Sequence, residues 1–224
     1  MGKPVKIALA GEGGQGVQLV AELLAEAAHQ EGKEAIYIPN FGVEQRGGVS
    51  IAYVQIADEY IGAPRFKKAD IVVALCDRAI TRTQVHVGPE TVLVYDNSDH
   101  TTSGPRDNIV GQQFNHHESD SMLIDVQANM IGVIDNHEKP NLPKNAKAVI
   151  GIAATEVAKT ELTSRVFNMI ILGAVLKATG VMDLESIKKA LEKKIGDKFE
   201  KSPELRDLNY KALTRGMELV DRVL

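Results

Sequence analysis

Cysteine is scarce: Cys76 is the one thiol in 224 residues. One thiol cannot close an internal disulfide, and it cannot supply the four thiolates of an ordinary iron–sulfur cluster. It stands in the apolar run 71–76, where a free cysteine ordinarily acts as a small buried hydrophobe. Long apolar runs are also missing, since none reaches the roughly 20 residues that a bilayer-spanning helix needs. Nor is there an excess of positive charge. Lys and Arg number 26 against 30 Asp and Glu, a net charge of −4, which argues against a nucleic-acid partner held by phosphate contacts. The first residues, Met1-Gly2-Lys3-Pro4-Val5, lead into a strand pattern with no signal-peptide character. The expected location is therefore the cytoplasm, with no membrane attachment.

What is present is ordinary globular composition, 44% hydrophobic and 25% charged. The length suits one large α/β domain with a sizeable core. Residues 5–10 form an apolar run that reads as a buried strand. After a glycine-rich loop, Val17, Val20, Leu23, Leu24, Ala27 and Ala28 recur at helical spacing, and Gly32 fits the helix stop. Residues 35–38 read as a second strand. A β-α-β opening predicts a parallel sheet with a right-handed crossover. Further strands are expected at 49–56, 71–75, 91–95 and 148–152, with a short helix over 78–85. Between 97 and 147 the pattern weakens, and a connection that long predicts an inserted strand pair or a mobile subdomain. The C-terminal region is helical. One helix begins near Ser164, carries Asn168, Ile171, Leu172 and Val175 on one side and is capped by Gly180. A second starts at Asp183 and stops at Gly196. A third opens at Ser202-Pro203-Glu204, a hydroxyl cap with proline at the first helical position. The expected fold is α/β: a single Rossmann-like domain over 1–224 with a mainly parallel sheet flanked by helices.

Gly11, Gly13 and Gly16 match G-x-G-x-x-G between a strand and a helix, with Gly14 and Gln15 inside the loop. Such a loop allows close backbone approach, and the helix N-terminus behind it offers free N–H groups and partial positive charge to an anion. The alternative is a turn that only packs helix on strand. The companion features of nucleotide sites are missing. The second strand ends at Pro39-Asn40, where a dinucleotide site wants an acid for the ribose. No lysine follows Gly16, so there is no Walker A motif.

The stretch Phe41-Gly42-Val43-Glu44-Gln45-Arg46-Gly47-Gly48 follows the second strand at the edge where open α/β sheets place ligands. Glu44 and Arg46 either pair to order the loop, or Arg46 faces a phosphate, a carboxylate or a partner chain. Four stretches in order now carry a resemblance: Gly11-Glu12-Gly13-Gly14-Gln15-Gly16-Val17, Glu44-Gln45-Arg46-Gly47-Gly48, Asn168-Met169-Ile170-Ile171-Leu172-Gly173-Ala174, and Leu208-Asn209-Tyr210-Lys211-Ala212-Leu213-Thr214-Arg215-Gly216. Over nearly its whole length the chain resembles the gamma subunit of 2-oxoacid:ferredoxin oxidoreductases. Its departure is the segment 97–147, larger than the family's usual connection.

The resemblance implies an accessory subunit of an enzyme that oxidatively decarboxylates a 2-oxoacid to an acyl-coenzyme A. Pyruvate, 2-oxoglutarate and branched-chain oxoacids all remain open as substrates. Thiamine diphosphate and the iron–sulfur clusters would reside in partner subunits: the alpha chain, the thiamine-binding beta chain and a ferredoxin-like chain. Ferredoxin would accept the electrons. The resemblance implies that the chain would bind none of these cofactors alone but would stand on the coenzyme A side of the assembly, with coenzyme A possible at its surface. Carried over residue by residue, Gly11, Gly13, Gly14, Gln15, Gly16, Arg46, Gly47 and Gly48 are the candidates for contacts with coenzyme A phosphates or a partner chain, and arginine suits a phosphate bidentately. No catalytic residue and no metal ligand is assigned. Gly196-Asp197-Lys198 is only a partial echo of a thiamine-type GDG motif.

Weaker signals have plainer readings. His116-His117-Glu118-Ser119-Asp120 reads as a polar loop rather than a metal cluster. Asp96 reads as a turn or cap. Asn168 is expected to bond a backbone loop, and Gly173, which costs about 1 kcal/mol in mid-helix, to allow close helix packing. Lys188, Lys189, Lys193 and Lys194 read as a solvated face. Two competing functions stand beside the subunit: a free-standing Rossmann-like nucleotide-binding or regulatory protein, and an independent NAD enzyme.

Overall fold

The computed structural model describes residues 3–40, 48–98 and 141–221. All of them fall in one compact unit built from 1–98 and 140–224; residues 99–139 divide off as a second unit, outside the described residues. The residues of the expectations for Arg46, Gly47, the Glu44–Arg46 pair, His116 to Asp120 and most of 97–147 likewise lie outside them.

Strand β1 (Val5–Glu12) is buried on both faces, with Ile7 and Leu9 in one core cluster and Ala8 and Ala10 in the other. Burial on both faces is why its sequence is continuously apolar rather than alternating. Helix α1 (Val17–Gln30) buries the expected stripe from Val17 to Ala28. Gly32, at φ 75°, ends it in a Schellman turn, with the Lys33 N–H donating to the Ala28 carbonyl at 3.0 Å. Strands β2 (Glu34–Asn40), β3 (Val49–Ala57), β4 (Ile71–Ala74), β5 (Val92–Asp96) and β6 (Ala148–Ile152) complete a sheet of order β2-β3-β1-β4-β5-β6. Pairings β1–β4, β4–β5 and β5–β6 are parallel, whereas β3 runs antiparallel to both β1 and β2.

The sheet is thus mainly parallel, but β3 separates the two strands of the opening β-α-β unit. Its residues explain the placement. β3 buries Ala52, Val54, Gln55 and Ile56 and takes the inner position. β2 carries Pro39, which cannot donate to a ladder and is suited to an edge strand.

One face of the sheet carries the larger core, made with α1 and four further helices: α3 (Ala154–Glu161), α4 (Phe167–Thr179), α5 (Leu184–Lys201) and α6 (Pro203–Asp221). The other face carries α2 (Asp77–Thr83) and a smaller cluster around Val72, Ala79, Ile80 and Leu93. Every residue of α4 from Asn168 to Leu176 is buried, so α4 is the central helix of the larger layer, apolar all round, rather than a one-sided one. Gly173 and Gly216 let α4 and α6 meet: a Cβ on Gly173 would fall 1.9 Å from the Leu213 carbonyl oxygen, and one on Gly216 would fall 1.9 Å from that of Ile170. The expected packing role of Gly173 is therefore seen.

One expectation is corrected. Helix α5 does not stop at Gly196 but kinks at Ile195 (φ −132°, ψ 20°) and continues to Lys201. The expected lysine face is seen: Lys189, Lys193 and Lys194 are exposed and Lys188 is half-buried. Lys193 reaches Glu26 at 2.6 Å and Lys194 pairs with Glu22, tying α5 to α1. Among the described residues, no helix is long and apolar enough to cross a membrane.

Candidate functional site

The carboxyl ends of β1 and β4 form the point where the chain turns in opposite directions, from β1 towards β3 and β2 and from β4 towards β5 and β6. Open α/β sheets bind ligands in the crevice outside such a switch point. Here it is walled by the loop after β1 on one side and by Leu75, Cys76 and the start of α2 on the other.

Gly13 and Gly14 form the exposed tip of the glycine loop, and a Cβ on either would meet nothing within 4 Å. Gly14 and Gly16 hold the left-handed conformation, at φ 91° and 79°, which only glycine adopts without strain. Gly11 is required for a different reason: a Cβ there would lie 2.8 Å from both Gln15 Oε1 and Val17 Cγ2. The Gln15 carboxamide fills that space. Its Oε1 accepts from the Glu12 N–H at 2.7 Å and its Nε2 donates to the Leu75 carbonyl at 3.3 Å, so Gln15 braces the loop from within. Gly48 is half-buried at the start of β3, next to Val49, which pairs with Glu12. Because β3 runs antiparallel to β1, Gly48 stands at the same sheet edge as the glycine loop.

Sequence reasoning missed several residues here. Arg78 on α2 reaches Glu12 at 3.5 Å across the switch point; a charged pair directly after a buried strand was the available signal. Gln18, in the first turn of α1, donates to Ser50 Oγ at 2.6 Å and accepts from Tyr37 OH at 2.6 Å, locking α1 to β2 and β3. First-turn helical N–H groups lack intrahelical partners, and the first turn of α1 carries no acid, so its partial positive charge is not offset locally. Asn168 of α4 is buried against Gly16: a Cβ on Gly16 would fall 2.3 Å from Asn168 Nδ2. The expected bond to a backbone loop is not made, and Asn168 has no hydrogen-bond partner among the described residues.

Cys76 is buried at the end of β4, and burial pushes its thiol up to about 11, with the Glu12 and Asp77 carboxylates adding to the shift. At pH 8 the native thiol is expected to alkylate far more slowly than in the unfolded chain, as mass spectrometry after iodoacetamide would show. The raised value also sets a sign. The unfolded thiol ionises near its ordinary 9.0, so this contribution to stability is complete below pH 9 and is lost as the pH rises towards 11. Asp96 serves as the expected cap: fully buried, it accepts from the Ser98 N–H and hydroxyl and from Thr155 at the start of α3.

A cleft of about 660 Å³ opens at the opposite edge of the sheet, lined by Val5, Ile71, Val92 and Ala148 at the strand beginnings and rimmed by Lys3, Lys33 and Lys147. It is remote from the glycine loop. Among the described residues no cluster of histidine, cysteine or carboxylate side chains is arranged to hold a metal.

Fold and site together define an α/β protein with a glycine-rich loop and a helix N-terminus at a sheet switch point. The family model described as pyruvate ferredoxin/flavodoxin oxidoreductase matches residues 6–219, and the chain belongs to that family. It is 33% identical over 214 residues to the pyruvate/ketoisovalerate oxidoreductases common subunit gamma of Thermococcus litoralis, covering 96% of each. It is 27% identical over 216 residues to the ketoisovalerate oxidoreductase subunit VorA of Methanothermobacter thermautotrophicus, where 96% of this chain spans 36% of that relative. Its fold is also that of the keto/oxoacid ferredoxin oxidoreductase gamma subunit of Geobacter sulfurreducens, with a TM-score of 0.66, 24% identity and coverage of 97% and 99%.

Proposed function

We propose that this chain is the gamma-type, accessory component of a multi-subunit 2-oxoacid:ferredoxin oxidoreductase that converts a 2-oxoacid to an acyl-coenzyme A and carbon dioxide and passes the electrons to ferredoxin. The observation that carries the reading is the end-to-end match with a named gamma subunit, 96% of both chains. The VorA relative is nearly three times longer, which supports a division of labour in which other polypeptide supplies what this one lacks. A single buried cysteine leaves these residues without the ligands of an iron–sulfur cluster, so clusters are assigned to partner chains, and thiamine diphosphate is assigned there by the family resemblance.

In this reading the switch-point crevice faces coenzyme A or the partner chain that holds it. Gly13 and Gly14 admit a phosphate to the backbone, the N-terminus of α1 supplies N–H groups and positive potential, and Arg78 on α2 supplies a cationic side chain across the switch point; the resemblance adds Arg46 as a second cationic candidate. In this reading the chain's own part is to bind and orient, and no described residue is assigned a proton-transfer role. Topology disfavours the independent NAD enzyme. With β3 interposed, the end of β2 stands two strand spacings, about 9–10 Å, from β1, so β2 does not bring a ribose-binding residue beside the glycine loop.

The test is anaerobic purification of the tagged chain from its native cell, with co-purifying proteins identified by mass spectrometry. The expected result is stoichiometric recovery of a thiamine-binding chain and a cluster-bearing chain. Recovery of a folded, monodisperse chain alone would defeat the subunit reading in favour of a free-standing nucleotide-binding or regulatory protein.

A further inference from the structure

We infer that Asn168 is a ligand-contacting side chain of the glycine-loop site, and that its carboxamide N–H donates to a phosphoryl oxygen seated at the N-terminus of α1. The inference rests on reading that loop as an anion site, and it adds a residue that α4 contributes from the core.

Three observations carry it. First, Asn168 is only 7% exposed, in a helix otherwise buried among apolar side chains. Second, its carboxamide makes no hydrogen bond among the described residues. A buried amide carries two donors and an acceptor, and leaving them unmatched disfavours the folded state; the great majority of buried polar side-chain atoms have partners. Asn209, equally buried on α6, shows the ordinary solution by donating to the Leu205 carbonyl at 2.7 Å. Third, Asn168 is aimed at one place. Its Nδ2 occupies the position that a side chain on Gly16 would take, 2.3 Å from that Cβ, and Gly16 is the N-cap of α1.

The unmatched donor therefore stands beside other donors that lack partners within the helix. The first N–H groups of α1 have no intrahelical partners, and no acid in the first turn satisfies them. Gly13 and Gly14 leave the approach clear of side chains. The nearby carboxylate, Glu12, is engaged with Arg78. A set of donors without matching acceptors is complementary to an oxyanion. Several backbone N–H groups together with a carboxamide suit the three oxygens of a terminal phosphoryl group better than the two of a carboxylate.

The test follows the full chain by two-dimensional 1H–15N NMR while inorganic pyrophosphate is added, and separately pyruvate as a carboxylate probe. Pyrophosphate is expected to shift the Gly13, Gly14, Gly16 and Val17 amides together with the side-chain NH2 pair of Asn168. Asn168→Ala, which removes no hydrogen bond, is expected to keep the thermal midpoint and to weaken pyrophosphate binding about ten-fold or more. If the loop amides move but the Asn168 NH2 pair does not, and the variant binds like wild type, the role of Asn168 is overturned while the anion reading survives. If pyrophosphate moves nothing at the loop, both fall. Equal or stronger binding of pyruvate overturns the phosphoryl assignment. Should the variant not fold, the wild-type NH2 signal decides alone.

Discussion

Gly216→Ala is expected to cost about 3 kcal/mol of stability, lowering the thermal midpoint by about 6–12 °C for a chain of this size. The added methyl would lie 1.9 Å from the Ile170 carbonyl oxygen, 2.8 Å from its carbon and 2.9 Å from the Ala174 nitrogen. These are backbone atoms of the central helix, so no rotamer change can relieve the contact; α4 and α6 must separate. Alanine returns about 1 kcal/mol through its better helix propensity, which is too little to offset lost packing along the most buried helix of the fold. Gly173→Ala makes the reciprocal contact with Leu213 and should behave alike. Because both substitutions force apart one crossing, the double variant should cost less than the sum of the singles. Gly196→Ala is the control: its Cβ would meet nothing closer than Glu192 Oε2 at 4.0 Å, so stability should be unchanged or improved. Urea unfolding of the four variants checks the set, and an undiminished Gly216→Ala would show that the helices are not held this closely.

That crossing illustrates what the residues do and do not declare. Gly173 stands out in mid-helix because glycine there needs a reason, but nothing local points to Gly216 as its counterpart; the pairing exists only once α6 lies across α4. Elements announced by periodicity, such as α1, or by continuous apolar runs, such as β1 and β4, were legible. The position of β3 was not. Alternation along β3 identifies a strand, whereas its insertion between β1 and β2 depends on which of two neighbouring strands gains more by being inside, a comparison of burial on both faces with Pro39 confined to the edge. The end of α5 was misplaced for a related reason. Gly196 weakens a helix locally, yet Phe199 is fully buried beyond it, and that tertiary contact carries the helix through the kink.

The site was half legible. A loop of three spaced glycines between a strand and a helix has a local meaning, so Gly11, Gly13 and Gly16 stand out from spacing alone, whereas Gly14 was marked by the family resemblance. Gln15 could be named but its use could not, because its partner Leu75 lies 60 residues away. Arg78, Gln18 and the unmatched Asn168 become visible only when β4, β3 and α4 converge on the same edge. Glu12 and Arg78, apart in sequence, meet across the switch point, and that meeting follows from the parallel register Ala10–Ala74.

Asp96→Ala is the second large effect expected, about 2–4 kcal/mol. The carboxylate is fully buried at the end of β5 and its charge is met by four donors: Ser98 N–H at 3.1 Å, Ser98 Oγ at 2.6 Å, Thr155 N–H at 3.4 Å and the Thr155 hydroxyl. Ser98 Oγ in turn accepts from the Glu156 N–H at 3.1 Å. One side chain thereby satisfies the N-terminus of α3 and fixes Ser98 just after β5. Truncation leaves these donors buried without their acceptor, and the penalty is that of unmatched polar groups rather than of lost packing. Asp96→Asn separates the two. It keeps the shape and one acceptor oxygen, and the Ser98 and Thr155 hydroxyls can turn to accept from the new NH2, so its cost should be about half that of alanine. Denaturant unfolding measures both, and hydrogen exchange at Thr155 and Glu156 should quicken selectively in the alanine variant. Equal costs for the two substitutions would mean that charge, not hydrogen-bond satisfaction, holds this corner; no cost in either would show that α3 is capped by something other than Asp96.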